Sequence, residues 1–592
     1  MHPLKLSTGW SHPFLLACVA ALVAGLANDL KGESATISWK GGDSDWFDSA
    51  NWNPERMPNT GDVVYVANGG TARVQSPGAT SGMCYVTGTA TNRLVVGAGG
   101  TLTLTKRMDL SPLVVGYLPG EVLIGGGTSE MVGLWMYSNG SGPCLFQVTG
   151  GVVNIKAGVY LAFSGGGPAT IRQSGGLVNM SGQSLFAANG SKSRGQIELS
   201  GSGMVTNLGT LYLGYTANGG LGTLSLSNTA AIALGTVYAG GNNPGLHSAT
   251  GMVTVSGGSL RASSTVSIGC YGRGYCALDA GLIRCPVFVA AEKTNSLGTV
   301  TVGGGTLDAT TVTIGSDGAA SCALSGGAIL ATNVIVGNVN ASSGTLHITE
   351  GGLIRTVEDL VVGKYQGAYG DVRQTGGTTD VRHLYLSFVA SPSNSTYALN
   401  GGALRVRSAM TGLATNGNEV FSFTGGALSV SLYMSTMPVL TNAGGTLSPG
   451  LEWPGKTIIQ TDYVESSPSA RLSVDLGGIQ PANAFTNGPG YYDYTEINGK
   501  ATLAGELRVN LINGFDASVK AADAFYVAAA GSAIEGAFAN VASGGRVLTP
   551  ERHSFVVYYG NNAATTAAGA DPKKVTLTGF QRKPTGTMVT IN

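Results

Sequence analysis

Charge is scarce in this chain. Of 592 residues, 33 are Lys or Arg and 33 are Asp or Glu, so the net charge is zero and charged side chains make up only 11%. A typical globular domain carries about a quarter. There is no basic run and no interleaving of basic with aromatic side chains, which argues against a nucleic-acid partner. Glycine is plentiful at 93 residues and proline sparse at 21. No Gly-X-Y period appears, so a collagen-like helix is excluded. Beyond the N-terminus no apolar run is long enough to span a bilayer as a helix. Metal-ligand spacing is missing, as are a Gly-x-Ser-x-Gly elbow and the Asp-bearing calcium nonapeptide.

What the chain does contain is a Gly-Gly pair recurring about every 24 residues. With the second residue of each pair as an anchor, the series runs Gly151, Gly176, Gly203, Ala230, Gly258, Gly281, Gly305, Gly327, Gly352, Gly377, Gly402, Gly426 and Gly445. Such a period signals stacked units. Two residues after each anchor stands an apolar side chain in every unit but one, from Val153, Val178 and Val205 to Leu428 and Leu447, with Thr379 the exception. The next position is mostly polar, as in Asn154, Arg284, Asp308, Arg355, Asp380 and Arg405. Adjacent columns of opposite character mean a strand with one residue in and the next out.

A second strand signature follows roughly ten residues on, as in Leu211-Tyr212-Leu213-Gly214 and Val312-Thr313-Ile314-Gly315. A third leads into the next anchor. Three short strands in about 24 residues make one coil, and stacked coils pair like with like at about 4.8 Å. The expected fold is an all-β parallel β-solenoid, read as a right-handed β-helix, with glycine at the corners where φ must be positive. Arg284 beside Asp308, and Arg355, Asp380 and Arg405 in series, are expected as opposite charges on successive coils.

The ends differ from the middle. Residues 1–27 read as a secretory signal peptide: Lys5, an apolar core from Phe14 to Ala27, and small residues at Gly25 and Ala27 before the cleavage point. Leu15-Leu16-Ala17-Cys18 only faintly matches a lipoprotein box. Residues 28–75 hold Trp39, Trp46 and Trp52, expected either to cap the open end of the solenoid or to contact a glycan. Residues 76–450 are the solenoid repeats, and 451–592 a C-terminal β-rich module. Six cysteines follow the signal. Cys276 and Cys322 share a register but lie two coils apart, beyond disulfide reach. Cys270 and Cys276 flank a five-residue loop and are a candidate disulfide, with two buried thiols as the alternative.

The opening Trp-x-Gly-Gly, Asn51-Trp52 and Gly61-Asp62, the Leu-x-Val-Gly and Ser-Gly-Gly repeats, and the exit Leu447-Ser448-Pro449-Gly450 together resemble secreted bacterial proteins with autotransporter-associated β-strand repeats. So does the tail, with Tyr492-Asp493-Tyr494, Ile497-Asn498-Gly499 and Leu503-Ala504-Gly505-Glu506-Leu507. The resemblance implies a passenger-like β-helix exported by a Gram-negative bacterium, adhesive or structural in role. It departs from that pattern at Thr585 to Asn592, where the alternating strands of a membrane β-barrel are not seen.

Catalysis on such a scaffold needs clustered acids. Asp308 and Asp380 share a column but are three coils apart, roughly 14 Å, whereas glycoside hydrolysis needs about 5–9.5 Å. The expectation is therefore no enzyme, no cofactor and no metal. The middle residues of the second strands, among them Tyr212, Tyr238, Phe288 and Tyr385, are expected to form an outward contact stripe. Its partner would be a surface glycan, a host surface or a copy of the chain, with no integral membrane segment after signal cleavage. The leading expectation is a secreted, non-enzymatic cell-surface β-solenoid in adhesion or extracellular structure. The alternatives are a self-assembling surface-layer or filament subunit and a polysaccharide-active β-helix enzyme.

Overall fold

A computed structural model describes residues 35–583 except 89–90, 111–119, 138–142, 164–166, 216–218, 243, 245–247, 390–392, 414–417, 451–452, 484–487 and 560–572. The expected signal peptide and the C-terminal tail lie outside the described residues. The chain is an all-β parallel solenoid of about 16 turns of ~25 residues. Among the described residues the helical content is two short 3-10 turns, at Ser49–Asn51 and Phe515–Ala517, and no helix is long and apolar enough to cross a membrane.

Three inward ladders build the core. The anchor ladder stacks Val153, Val178, Val205 and Ile232, then Leu260, Ile283 and Leu307. It continues through Ile329, Ile354, Thr379, Leu404, Leu428 and Leu447. Every one of these residues is buried, including those that follow the degenerate anchors Gly203, Ala230 and Gly281. A second ladder passes through Leu211, Val237, Val266, Phe288, Val312 and Val334. A third passes through Leu224, Val253, Cys276, Val300 and Cys322. Each coil leaves its apolar row uncovered on its own and is completed by its neighbours.

The Gly-Gly pairs are not sharp corners between separate strands in every coil. Asn394–Gly412 is one continuous strand, and its ladder slips register around Gly401-Gly402. The pair is a β-bulge that bends the strand. Gly402 takes φ 72°, and a Cβ there would press on the backbone of Gly376 and Gly377, so the stacked bulges need glycine.

The corner after the second strand is also left-handed in the coils from Ala162 to Ser387. Gly214, Gly240, Gly269, Gly315, Gly337 and Gly363 occupy it, but Ala162, Ala188, Ala291 and Ser387 hold it in other coils, with φ from 54° to 66°.

Parallel stacking continues past residue 450. Leu447 pairs with Leu472 and Leu472 with Leu507, so the coils lengthen there while the ladders go on. Antiparallel pairing takes over in the last strands, where Phe525–Ala530 meets Lys574–Gln581, which in turn meets Ser554–Tyr559. These strands cover the final edge, which would otherwise invite pairing with another chain. At the other end Trp39 and Trp52 face each other on an antiparallel pair, while Thr36–Trp39 also pairs in parallel with Val63–Val66.

Candidate functional site

Trp39, Trp46 and Trp52 are all buried, at 3%, 1% and 0% exposure. Trp52 packs edge-on against both others, with ring centroids 4.8 and 4.7 Å apart, and its indole N–H donates to the Trp46 carbonyl at 2.8 Å. No ring face is left for a sugar. Their geometry is that of a plug, and the glycan alternative for these three residues is set aside.

Cys270 and Cys276 are buried free thiols, as are Cys285 and Cys322, and Cys84 and Cys144 are buried too. The candidate Cys270–Cys276 disulfide is not formed. Cys276 points into the third ladder between Val253 and Val300, whereas Cys270 follows the corner glycine Gly269. Burial pushes the thiols of Cys270, Cys276, Cys285 and Cys322 up to about 12, which removes them as nucleophiles at neutral pH. Cys276 and Cys322 are two coils apart, with Val300 between them.

The outward stripe exists, with one correction. Phe288 is not part of it: the side chain is 1% exposed and lies in the inward second ladder between Val266 and Val312. Val289 takes the outward position. The slip arises because Ala291, not glycine, ends this strand, so the Leu-x-Val-Gly pattern loses its marker. Tyr212, Tyr238 and Tyr385 do face outward and are half-buried. Between them Ser267, Thr313, Ile335 and Val361 face the same way but are buried. At three coils an aromatic three places after the stripe position folds back beside it. Tyr215 packs on Tyr212 at 4.8 Å, Phe163 on Tyr160 at 5.8 Å and Phe388 on Tyr385 at 4.9 Å.

Sequence reasoning missed most of the aromatic part of this flank. Trp135, Tyr160, Phe186, Tyr212 and Tyr238 stand on five successive coils. Tyr160, Phe186 and Tyr212 stack within 6° of parallel at 4.8 and 4.9 Å, and Tyr238 adds a fourth ring at 5.6 Å. Trp135 lies 5.0 Å from Tyr160 and carries the Arg107 guanidinium over its own ring at 4.0 Å. The missed signal is an aromatic three residues before another, across a small corner residue, as in Tyr160-Leu161-Ala162-Phe163, Tyr212-Leu213-Gly214-Tyr215 and Tyr385-Leu386-Ser387-Phe388. Burial raises the phenol pKa of Tyr212, Tyr238 and Tyr385 above its usual value, so all three hydroxyls stay protonated and able to donate at neutral pH.

A groove runs along a different face, beside the outward column of the anchor ladder. Arg284 and Asp308 pair at 2.6 Å, Arg355 and Asp380 at 3.5 Å. Asp380 takes its second guanidinium from Arg407 at 3.1 Å, two residues beyond the Arg405 that faces it in the ladder. The inward residues below this column shrink from Leu208 and Leu234 to Ala262, Cys285, Ala309 and Ala331. At those coils a cavity of about 600 Å³ opens, walled by Arg284, Asp308 and Arg355 on one side and Thr310, Thr332 and Val357 on the other.

Asp308 and Asp380 are separated along their ladder by Leu330 and Arg355, and each is held by arginine. Glu358, Asp359 and His383 bring donor atoms within 4.8 Å of one another. Glu358 is engaged by Arg382 at 2.6 Å and Asp359 by His383 Nδ1 at 3.0 Å, so each carboxylate has a side-chain partner. No known family model matches this sequence, and no curated protein or solved structure is significantly similar to it.

Proposed function

We propose that this chain is a secreted, non-catalytic β-solenoid of a Gram-negative cell surface, serving in adhesion or as an extracellular structural element through its aromatic flank. The observation that carries the reading is the stack from Trp135 to Tyr238, flanked by Phe163 and Tyr215. Five coils give it a length of about 19 Å. The rings use their faces on one another and present edges and hydroxyls outward. Aromatic side chains held this rigidly lose little entropy on contact and are the residue types that dominate protein interfaces. The sequence resemblance to autotransporter-associated repeats and the signal-like N-terminus support export.

The test is attachment of beads coated with purified protein to host cells. Tyr212→Ser with Tyr238→Ser is expected to cut attachment several-fold while circular dichroism and thermal midpoint stay near native. Native attachment by a folded double variant sinks the proposal.

A further inference from the structure

The groove beside the anchor ladder is longer than one cavity. Its upstream part, about 610 Å³, is lined by Asn179, Gly182, Asn207, Gly235 and Ser263, and Ser263 also lines the downstream part. Together they cross eight coils, from Asn179 to Arg355, or about 34 Å. The floor is smallest downstream, at Ala262, Ala309 and Ala331; upstream Leu208 and Leu234 share it with Gly182 and Gly235. A thin extended chain can lie in it along the solenoid axis.

The wall has a charge bias that the whole chain lacks. Along the groove's coils the outward column reads Arg261, Arg284, Asp308, Leu330 and Arg355, three arginines to one aspartate in a chain of zero net charge, and Arg284, Asp308 and Arg355 line the cavity itself. The arginines are accessible, with side chains of Arg284 and Arg355 55% and 63% exposed. Exposed ion pairs such as Arg284–Asp308 are weak, so an incoming anion can compete with Asp308 for Arg284 at little cost. The guanidinium fork matches a carboxylate or sulfate in geometry. Val357, 63% exposed on the opposite wall, offers an apolar contact for a sugar ring face.

We propose that this groove binds a linear anionic polysaccharide laid parallel to the solenoid axis, with its acidic groups on the arginine wall. Single-stranded nucleic acid shares the negative charge, but no aromatic ring lines either part of the groove, and base stacking is what holds such strands in a channel. The site is separate from the aromatic flank and does not depend on it.

Affinity electrophoresis of the purified chain tests this, with polygalacturonate and dextran sulfate as anionic probes and dextran as the neutral one. Retardation is expected in at least one anionic gel and not in dextran, weakening as salt rises. Thr310→Trp, which fills the groove without changing charge, is expected to reduce affinity tenfold or more at native circular dichroism. Arg284→Gln with Arg355→Gln is expected to lower affinity and flatten the salt dependence. Tyr212→Ser with Tyr238→Ser should bind as the native chain does, which keeps a failure here distinct from a failure of the flank. No retardation by either anionic probe, native affinity in Thr310→Trp, or equal affinity for a single-stranded DNA oligonucleotide overturns the proposal.

Discussion

A left-handed corner costs a side chain roughly 1–2 kcal/mol relative to glycine, yet Ala162, Ala188, Ala291 and Ser387 bear it. They sit where a Cβ has room. Gly315 does not: a Cβ there would meet the Ser343 carbonyl and the Gly344 nitrogen. Gly315→Ala is therefore expected to destabilise by more than ~2 kcal/mol, strain and clash together. Ala291→Gly should stay within about 1 kcal/mol of native, because relieved strain offsets the added freedom of the unfolded chain. Denaturant unfolding compares the two. The same corner decides the register around Phe288. Phe288→Ser removes a buried ring and should cost at least ~3 kcal/mol, whereas Val289→Ser, on the outward side but only 6% exposed, should cost less, about 1–2 kcal/mol. Equal losses in the two variants would mean that the register assigned to this coil is wrong.

At the scale of the coil, the anchor column was legible because it needs only one fact, the alternation after glycine. That alternation holds even at Thr379, where a polar residue stays inward and buried. The aromatic flank was half legible. Tyr212 and Tyr238 end in Gly214 and Gly240, but Tyr160 and Phe186 end in Ala162 and Ala188, and an alanine in a left-handed turn leaves no mark in a sequence. The groove was not legible at all: Arg284, Asp308 and Arg355 were visible as a ladder, but a cavity depends on the small residues beneath them. The change at residue 450 misled for another reason. From Leu447 to Leu472 the step is that of a normal coil, and from there to Leu507 an insertion hides the period while pairing persists. The Trp plug gives a prediction at this scale. Trp52→Ala should open the N-terminal coils, because stability in a stacked array passes between neighbours. Hydrogen exchange is expected to speed up across 35–66 and stay native beyond 300; uniform acceleration along the whole chain would rule out local fraying.

Across the whole molecule the two ends are closed by different chemistry. The N-terminal plug is aromatic. The carboxyl buried beside it, Asp62, is paired with Arg56 at 2.7 Å, whereas the C-terminal coils bury two carboxyl groups that no arginine or lysine is paired with among the described residues. Asp493, with no exposure, has its carboxyl pushed up to about 8 by burial, although the Gly455 and Asp475 amides donate to it at 2.7 and 2.8 Å. Burial also raises Glu465, against the pull of the Ala504 and Gly505 amides. A raised carboxyl means that the folded state holds a proton which the unfolded chain releases near its ordinary value of 3.8. The stability it contributes is complete below about pH 4, declines as pH rises, and is gone above about 8. The slope is at most ~1.4 kcal/mol per pH unit for one proton. Alkaline pH should therefore loosen the C-terminal end first and leave the Trp-plugged end unchanged. Exchange at pH 5 and pH 9, corrected for the intrinsic rate, is expected to show lost protection across 455–511 and none across 35–66. Asp493→Asn keeps one oxygen to accept an amide but cannot ionise, so this variant should lose most of the pH dependence. If it loosens with pH as the native chain does, the C-terminal end responds through some group other than Asp493.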